Sequence, residues 1–201
     1  LGMSRLLGIS TTEFLALYAD NGGTTLRNGS DGRCVFVTAD GRCKVHQRRP
    51  LVCRLYPLGR KTDGDGVERF AMFPKQDGCQ ADFGTDGTVA DFLDSQGVDL
   101  NFDWSWRYGV LFRRMLGLLD RLGIEAKVGA PEAKVDAGAD GTPAAENAPL
   151  SSWQDIDASL AEYCAVKGTA VPEGIEAAID LNLRAMEEWL DDLEAKAADG
   201  P

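Results

Sequence analysis

The chain has 201 residues, enough for one domain or one domain with an appendage, and carries 32 acidic against 21 basic residues for a net charge of −11. No apolar run reaches the length of a membrane span and no signal-peptide pattern opens the sequence, so no membrane association is expected and a cytoplasmic location fits. Nucleic acid is not an expected partner either, because so acidic a chain repels phosphates over most of its surface.

The charge is uneven. Residues 1–80 hold 12 basic and 8 acidic side chains, a net +4, while residues 81–201 hold 9 and 24, a net −15. Solvated helix faces and a polar linker account for such an acidic half. The cysteines number five, an odd count, and are not packed as in small secreted scaffolds. That argues against a disulfide framework and for a reducing compartment.

Taken in order, Ser10-Thr-Thr-Glu13 has the form of a capping box, so a helix is expected over 11–20 with Phe14, Leu15 and Tyr18 inward. Asn21-Gly-Gly ends it, and residues 22–33, polar and glycine-rich, read as a loop. Cys34–Thr38 and Arg42–His46 flank Ala39-Asp-Gly41 with alternating β-branched residues, which predicts a β-hairpin. A regular hairpin there would set the Cys34 and Cys43 sulfurs about 13 Å apart, too far for one mononuclear site. Either the hairpin is distorted near Cys34, or the two cysteines serve separate centres.

Pro50 disfavours helix at Arg49 and can open a short turn bearing Cys53, which Tyr56-Pro57 ends. Lys61–Gly66 reads as a turn, Val67–Phe73 as a strand, and Asp77-Gly-Cys79 as a tight loop. Thr88-x-x-Asp91 caps a short helix closed by Gly97. Asp103 is placed to cap the next helix, over 104–122, whose stripe of Trp104, Tyr108, Leu111, Met115, Leu118 and Leu122 reads as core and which Gly123 ends.

Residues 127–150, rich in Ala, Gly, Pro and Asp, form an expected flexible linker. Beyond it, Ser152-x-x-Asp155 caps a helix over 153–166 carrying Trp153, Ile156, Leu160 and Tyr163, and a second spans 173–195 with Ile175, Ile179, Leu183, Met186, Leu190 and Leu193 on one face. The expected organisation is a cysteine-cluster domain over 1–126, the linker, and a helical hairpin over 151–201 packing on the body. A protein partner on these acidic helices is the alternative. The fold class is α+β, mostly helical, with a small hairpin and a short strand at a Cys-rich site.

Cys34, Cys43, Cys53 and Cys79 are separated by 8, 9 and 25 residues, and the single histidine, His46, lies among them. Four thiolates suffice for a tetrahedral zinc or an iron–sulfur centre. Arg48, Arg49 and Arg54 bracket Cys53; cations there favour the thiolate, offset its charge and can donate to sulfur. Cys164 lies far off in sequence and reads as a core cysteine. No P-loop, G-x-G-x-x-G, H-E-x-x-H or G-x-S-x-G motif is present, so no catalytic residue is assigned.

The run Cys34-Val-Phe-Val-Thr-Ala-Asp-Gly-Arg-Cys43, then Arg48-Arg-Pro-Leu-Val-Cys53-Arg-Leu-Tyr-Pro-Leu-Gly59 and a later Gly78-Cys79, resembles the YkgJ-like cysteine-cluster family, named for a CxxCxxCC run and described as zinc- or iron-chelating. The resemblance covers residues 5–100 and implies that Cys34, Cys43, Cys53 and Cys79 are metal ligands for zinc, iron or an iron–sulfur cluster. This chain has no cysteine before Cys34, so a preceding CxxCxxCC segment is expected, or else a member with half its ligands. Similar clusters occur in a flagellin lysine methylase, which implies by analogy an iron–sulfur enzyme or enzyme subunit; a metal-stapled interaction module is the further alternative. Cys43-x2-His46 has ligand spacing, but on a regular strand the two would face opposite ways, and the family usually has an aromatic residue here. His46 is therefore read as structural.

Overall fold

The computed structural model describes residues 1–20, 23–63, 67–74, 84, 86–123 and 154–198. It is mostly helical, with small antiparallel strand pairs, an α+β fold. In chain order the elements are α1 (Gly2–Leu7), α2 (Thr11–Tyr18), β1 (Ala19–Asp20), β2 (Thr25–Leu26), α3 (Leu51–Leu55), β3 (Leu58–Thr62), β4 (Glu68–Met72), α4 (Val89–Gln96), α5 (Asp99–Arg121), α6 (Ile156–Lys167) and α7 (Ile175–Ala198). A short 3-10 helix, His46–Arg48, precedes α3. The chain divides into two compact units, Leu1–Arg48 with Arg107–Pro201, and Arg49–Trp106.

In the first unit, α2 starts as its sequence dictates. The Ser10 hydroxyl accepts from the Glu13 N–H at 3.1 Å, and the Glu13 carboxylate accepts from the Ser10 N–H at 2.9 Å. That reciprocal pair satisfies donors the helix itself leaves open. Phe14 faces inward and stacks on Phe36 with centroids 6.0 Å apart; Tyr18 lies 4.9 Å from the same ring. With Val45 these rings make a small core, lined further by Met3, Leu7, Ile9 and Leu26. Helix α1, which no cap signal in the sequence announces, supplies two of those side chains.

The C-terminal helices belong to this same unit. Ile156 and Leu160 of α6 are buried with Ala178 of α7. Asp155 caps α6, its carboxylate accepting from the Ala158 N–H at 3.2 Å, so the helix begins after Asp155 and not at Ser152. Ser152, Trp153 and the expected linker at 127–150 lie outside the described residues, as does Cys79. On α7, Asp180 is bound by Arg107, Asp191 by Arg114, and Glu194 by both Arg114 and Arg121. The three arginines stand seven apart on α5, and so share one face of that helix. Part of the acidic half is therefore paired within the chain.

The second unit holds the regular hairpin. β3 and β4 pair antiparallel from Leu58 opposite Met72 to Thr62 opposite Glu68. Lys61 and Thr62 are strand rather than turn. Pro50 opens α3 and a cis Tyr56–Pro57 bond follows it. Thr88 and Asp91 cap α4 reciprocally, and Gly97, at φ 57°, closes it. Helix α5 then begins at Asp99, so Asp103 lies inside it rather than at its cap. Early in α5, Phe102 sits 6.3 Å from the Phe70 ring and receives the Arg60 guanidinium at 4.2 Å.

The hairpin expected at 34–46 is not formed as strands. This stretch changes backbone partner partway. Cys34 bridges Asn28, Val37 bridges Cys43, and between them the chain turns, the Val37 N–H donating to the Cys34 carbonyl at 2.9 Å. The 22–33 stretch, read as a loop, supplies the other partner: Asn28 bridges Cys34, and the Arg27 carbonyl accepts from the Val35 N–H at 3.0 Å.

Candidate metal centre

Cys34 and Cys43 hold equivalent places in two interlocked turns. The Cys34 carbonyl accepts from the Val37 N–H, and the Cys43 carbonyl accepts from the His46 N–H at 3.2 Å. In each turn the third residue is the anchor: Phe36 is 2% exposed and Val45 1%. The Val37–Cys43 bridge joins the turns, and the Lys44 N–H donates to the Phe36 carbonyl at 2.9 Å. Both cysteines pack, half-buried, against the Phe14–Phe36–Val45 cluster. The separation of about 13 Å expected of a straight hairpin does not apply, since it presupposes an extended run that is folded here.

The carboxylates flanking these turns are engaged elsewhere. Asp31 accepts from the Arg33 side chain at 2.7 Å, and Asp40 from the Thr38 hydroxyl. These bonds hold both carboxyls below the usual carboxylate range. The nearest oxygen donors in sequence to Cys34 and Cys43 thus have other work.

In the second unit Cys53 is the third residue of α3 and its side chain is exposed. Arg49 and Arg54 both reach Gln96 at the end of α4, Arg49 to its side-chain oxygen and Arg54 to its carbonyl at 2.8 Å. Arg54 also donates to the Arg49 carbonyl at 3.3 Å. The guanidiniums beside Cys53 in sequence therefore brace α3 against α4. Arg48, in the first unit, lies against Gly2. Cys164 differs from the others: it is 2% exposed on α6, its thiol directed at the Ala170 carbonyl 3.7 Å away.

Thiols are soft donors suited to zinc and iron, and among the described residues Cys34, Cys43 and Cys53 are in no disulfide, so the donor chemistry fits such a metal. Among the described residues no three His, Cys, Asp or Glu side chains are grouped closely enough to hold an ion. A metal bound here therefore needs these side chains to move, or ligands beyond the described residues. Sequence reasoning missed the turn repeat, although its signal was present: Cys34-Val-Phe36-Val37 and Cys43-Lys-Val45-His46 are one pattern, a cysteine two residues before an apolar anchor. Among the described residues no helix is long and apolar enough to cross a membrane.

Residues 5–77 match the CxxCxxCC family, whose description reads "Putative zinc- or iron-chelating domain". The match takes in Cys34, Cys43 and Cys53 and stops two residues short of Cys79. No curated protein and no solved structure matches the chain.

Proposed function

We propose that residues 5–77, which belong to the CxxCxxCC family, bind zinc or iron through the thiolates of Cys34, Cys43 and Cys53, with Cys79 adding a fourth. The observation that carries this reading is the contrast among the cysteines. Three of them lie half-buried in turns or exposed on α3 within the matched segment, whereas Cys164, outside it, is sealed in the core. A cysteine kept for packing is buried; one kept for metal stays where an ion can reach it.

Thiolates on a divalent ion add negative charge, and Arg48, Arg49 and Arg54, close in sequence to Cys53, are of the sign that offsets it. With zinc the bound ion staples the local fold, and such binding is worth about 10–16 kcal/mol to a structural site. With iron and sulfide the same donors hold a cluster capable of electron transfer.

Metal, sulfide and absorption analysis of anaerobically purified protein tests the reading. Stoichiometric zinc without colour identifies a zinc chelator. Iron with acid-labile sulfide and broad visible absorption identifies a cluster. Protein carrying neither, and taking up neither on reconstitution, contradicts the proposal.

A further inference from the structure

We propose that the outer edge of β4 pairs with β4 of a second copy of this chain, joining two hairpins into one antiparallel sheet. The hydrogen bonds of the hairpin show which groups are open. The Phe73 N–H donates to the Pro57 carbonyl at 2.9 Å, and the Asp63 N–H to the Val67 carbonyl at 3.1 Å. Bonded and unbonded positions alternate along an antiparallel ladder, so in this register the odd-numbered residues bond across it. Glu68, Phe70 and Met72 therefore turn their N–H and C=O groups away from β3. Among the described residues, β3 is the one strand paired with β4. Such an edge is a template for another strand, and a two-stranded sheet alone is marginal in water.

The edge is also apolar at its ends. Val67, Met72 and Phe73 are 51%, 62% and 57% exposed, and no proline or bulge interrupts β4. The Phe73 ring lies across Gly59 of β3 and still keeps that exposure. A second copy is the occupant that fits, because a two-fold axis at Phe70 matches the edge to itself. Glu68 then faces Met72 of the second copy and Phe70 faces Phe70, so every open group of β4 is met, in about six hydrogen bonds. Val67 falls opposite Phe73, and Arg69 opposite the small Ala71, which covers the exposed apolar side chains. Other registers fit less well. An axis at Arg69 sets two arginines directly opposite, and an axis at Ala71 sets Glu68 against Pro74, which has no N–H to give. The Glu68 carboxylate is already bound by Arg60 of its own sheet, so its charge is balanced at the edge.

The test is sedimentation of the full chain over a concentration series, under reducing conditions, for wild type, Met72→Glu and Met72→Lys. Met72 is exposed, so both variants should keep the circular dichroism of wild type. Across the proposed interface the first sets a carboxylate opposite Glu68 of the second copy, and the second sets an ammonium there. Met72→Glu should weaken the dimer by about tenfold, and Met72→Lys should leave it within about threefold of wild type. Amide exchange read by NMR gives an independent measure. The Glu68, Phe70 and Met72 N–H groups should be protected only at concentrations where the dimer forms, whereas those of Arg69, Ala71 and Phe73 should be protected throughout. A chain that stays monomeric up to about 1 mM leaves the edge to a different protein and overturns the proposal. Protection of the three edge amides in a monomer assigns the edge to another part of the same chain and also overturns it. So does a dimer that both variants weaken alike while Glu68, Phe70 and Met72 exchange freely.

Discussion

Thr11 and Asp157 cap each other's helices. The Thr11 N–H donates to the Asp157 carboxylate at 2.7 Å, and the Asp157 N–H donates to the Thr11 hydroxyl at 2.9 Å. That hydroxyl in turn donates to Asp155 at 2.6 Å, and Arg5 binds the Asp157 carboxylate through both guanidinium nitrogens. Helices 146 residues apart in sequence are joined at their N-termini, where each leaves N–H groups open. Thr11→Val removes the hydroxyl and leaves the Asp157 N–H unmet, at an expected cost of about 1–2 kcal/mol. Asp157→Asn should cost about 1–3 kcal/mol, the range for a lost charged hydrogen bond. Urea unfolding of both variants checks the figures, and a double variant should lose less than the two single effects summed.

The same carboxylate gives the fold a pH dependence. The Arg5 guanidinium, followed by the Thr11 N–H, holds the Asp157 carboxyl below its usual range despite partial burial. A carboxyl depressed in the folded state stabilises the protein above its unfolded value, near 3.8, and that contribution fades as pH falls through the lower folded value. The stability gap between wild type and Asp157→Asn should therefore be full at neutral pH and shrink below about pH 4. A gap unchanged down to pH 2 would place the interaction outside the charge of Asp157.

Phe36 ties stability to the two cysteine turns. It stacks on Phe14 and Tyr18 and anchors the turn that Cys34 opens, while Cys43 packs on the same cluster. Phe36→Ala should cost about 3–5 kcal/mol in unfolding experiments. It should also weaken metal affinity, because both cysteine turns lose their shared support. Phe36→Leu should keep much of each.

Asn182, fully buried on α7, donates to the Tyr108 hydroxyl at 2.6 Å, and its Oδ1 has no partner among the described residues. Burial pushes the Tyr108 hydroxyl above the usual tyrosine range. Tyr108→Phe strands a buried amide and should destabilise by about 1–3 kcal/mol. Combining it with Asn182→Leu should recover much of that loss, since replacing both polar partners removes the desolvation cost. Denaturant midpoints of the two single variants and the double variant decide it.

Helix caps were legible in the sequence because their chemistry is local. Ser10 with Glu13 and Thr88 with Asp91 formed as read, as did the closing glycines Gly97 and Gly123. Asp155 was recognised as part of a cap but placed at the wrong position in it. The 34–46 hairpin failed for a non-local reason: alternating residues fit a strand, yet Asn28 competes for the backbone at Cys34. Helix α1 carries no cap signal and is held by packing Met3 and Leu7 on the Phe14–Phe36–Val45 cluster. The cysteines of the candidate site were legible by type and spacing. The relation of His46 to Cys43 was not, because it depends on a turn that period-two reasoning cannot foresee.

If Cys34, Cys43 and Cys53 serve a metal and Cys164 serves the core, the four thiols differ in how metal changes their reactivity. Residue-resolved thiol alkylation, read by mass spectrometry on the full chain with and without zinc, tests it most directly. Zinc should shield Cys34, Cys43, Cys53 and Cys79, and a chelator should re-expose them. Cys164, only 2% exposed, should stay unmodified in both states until the protein is unfolded. Equal labelling of Cys34 and Cys43 with and without metal, or a metal-dependent change at Cys164, would contradict it.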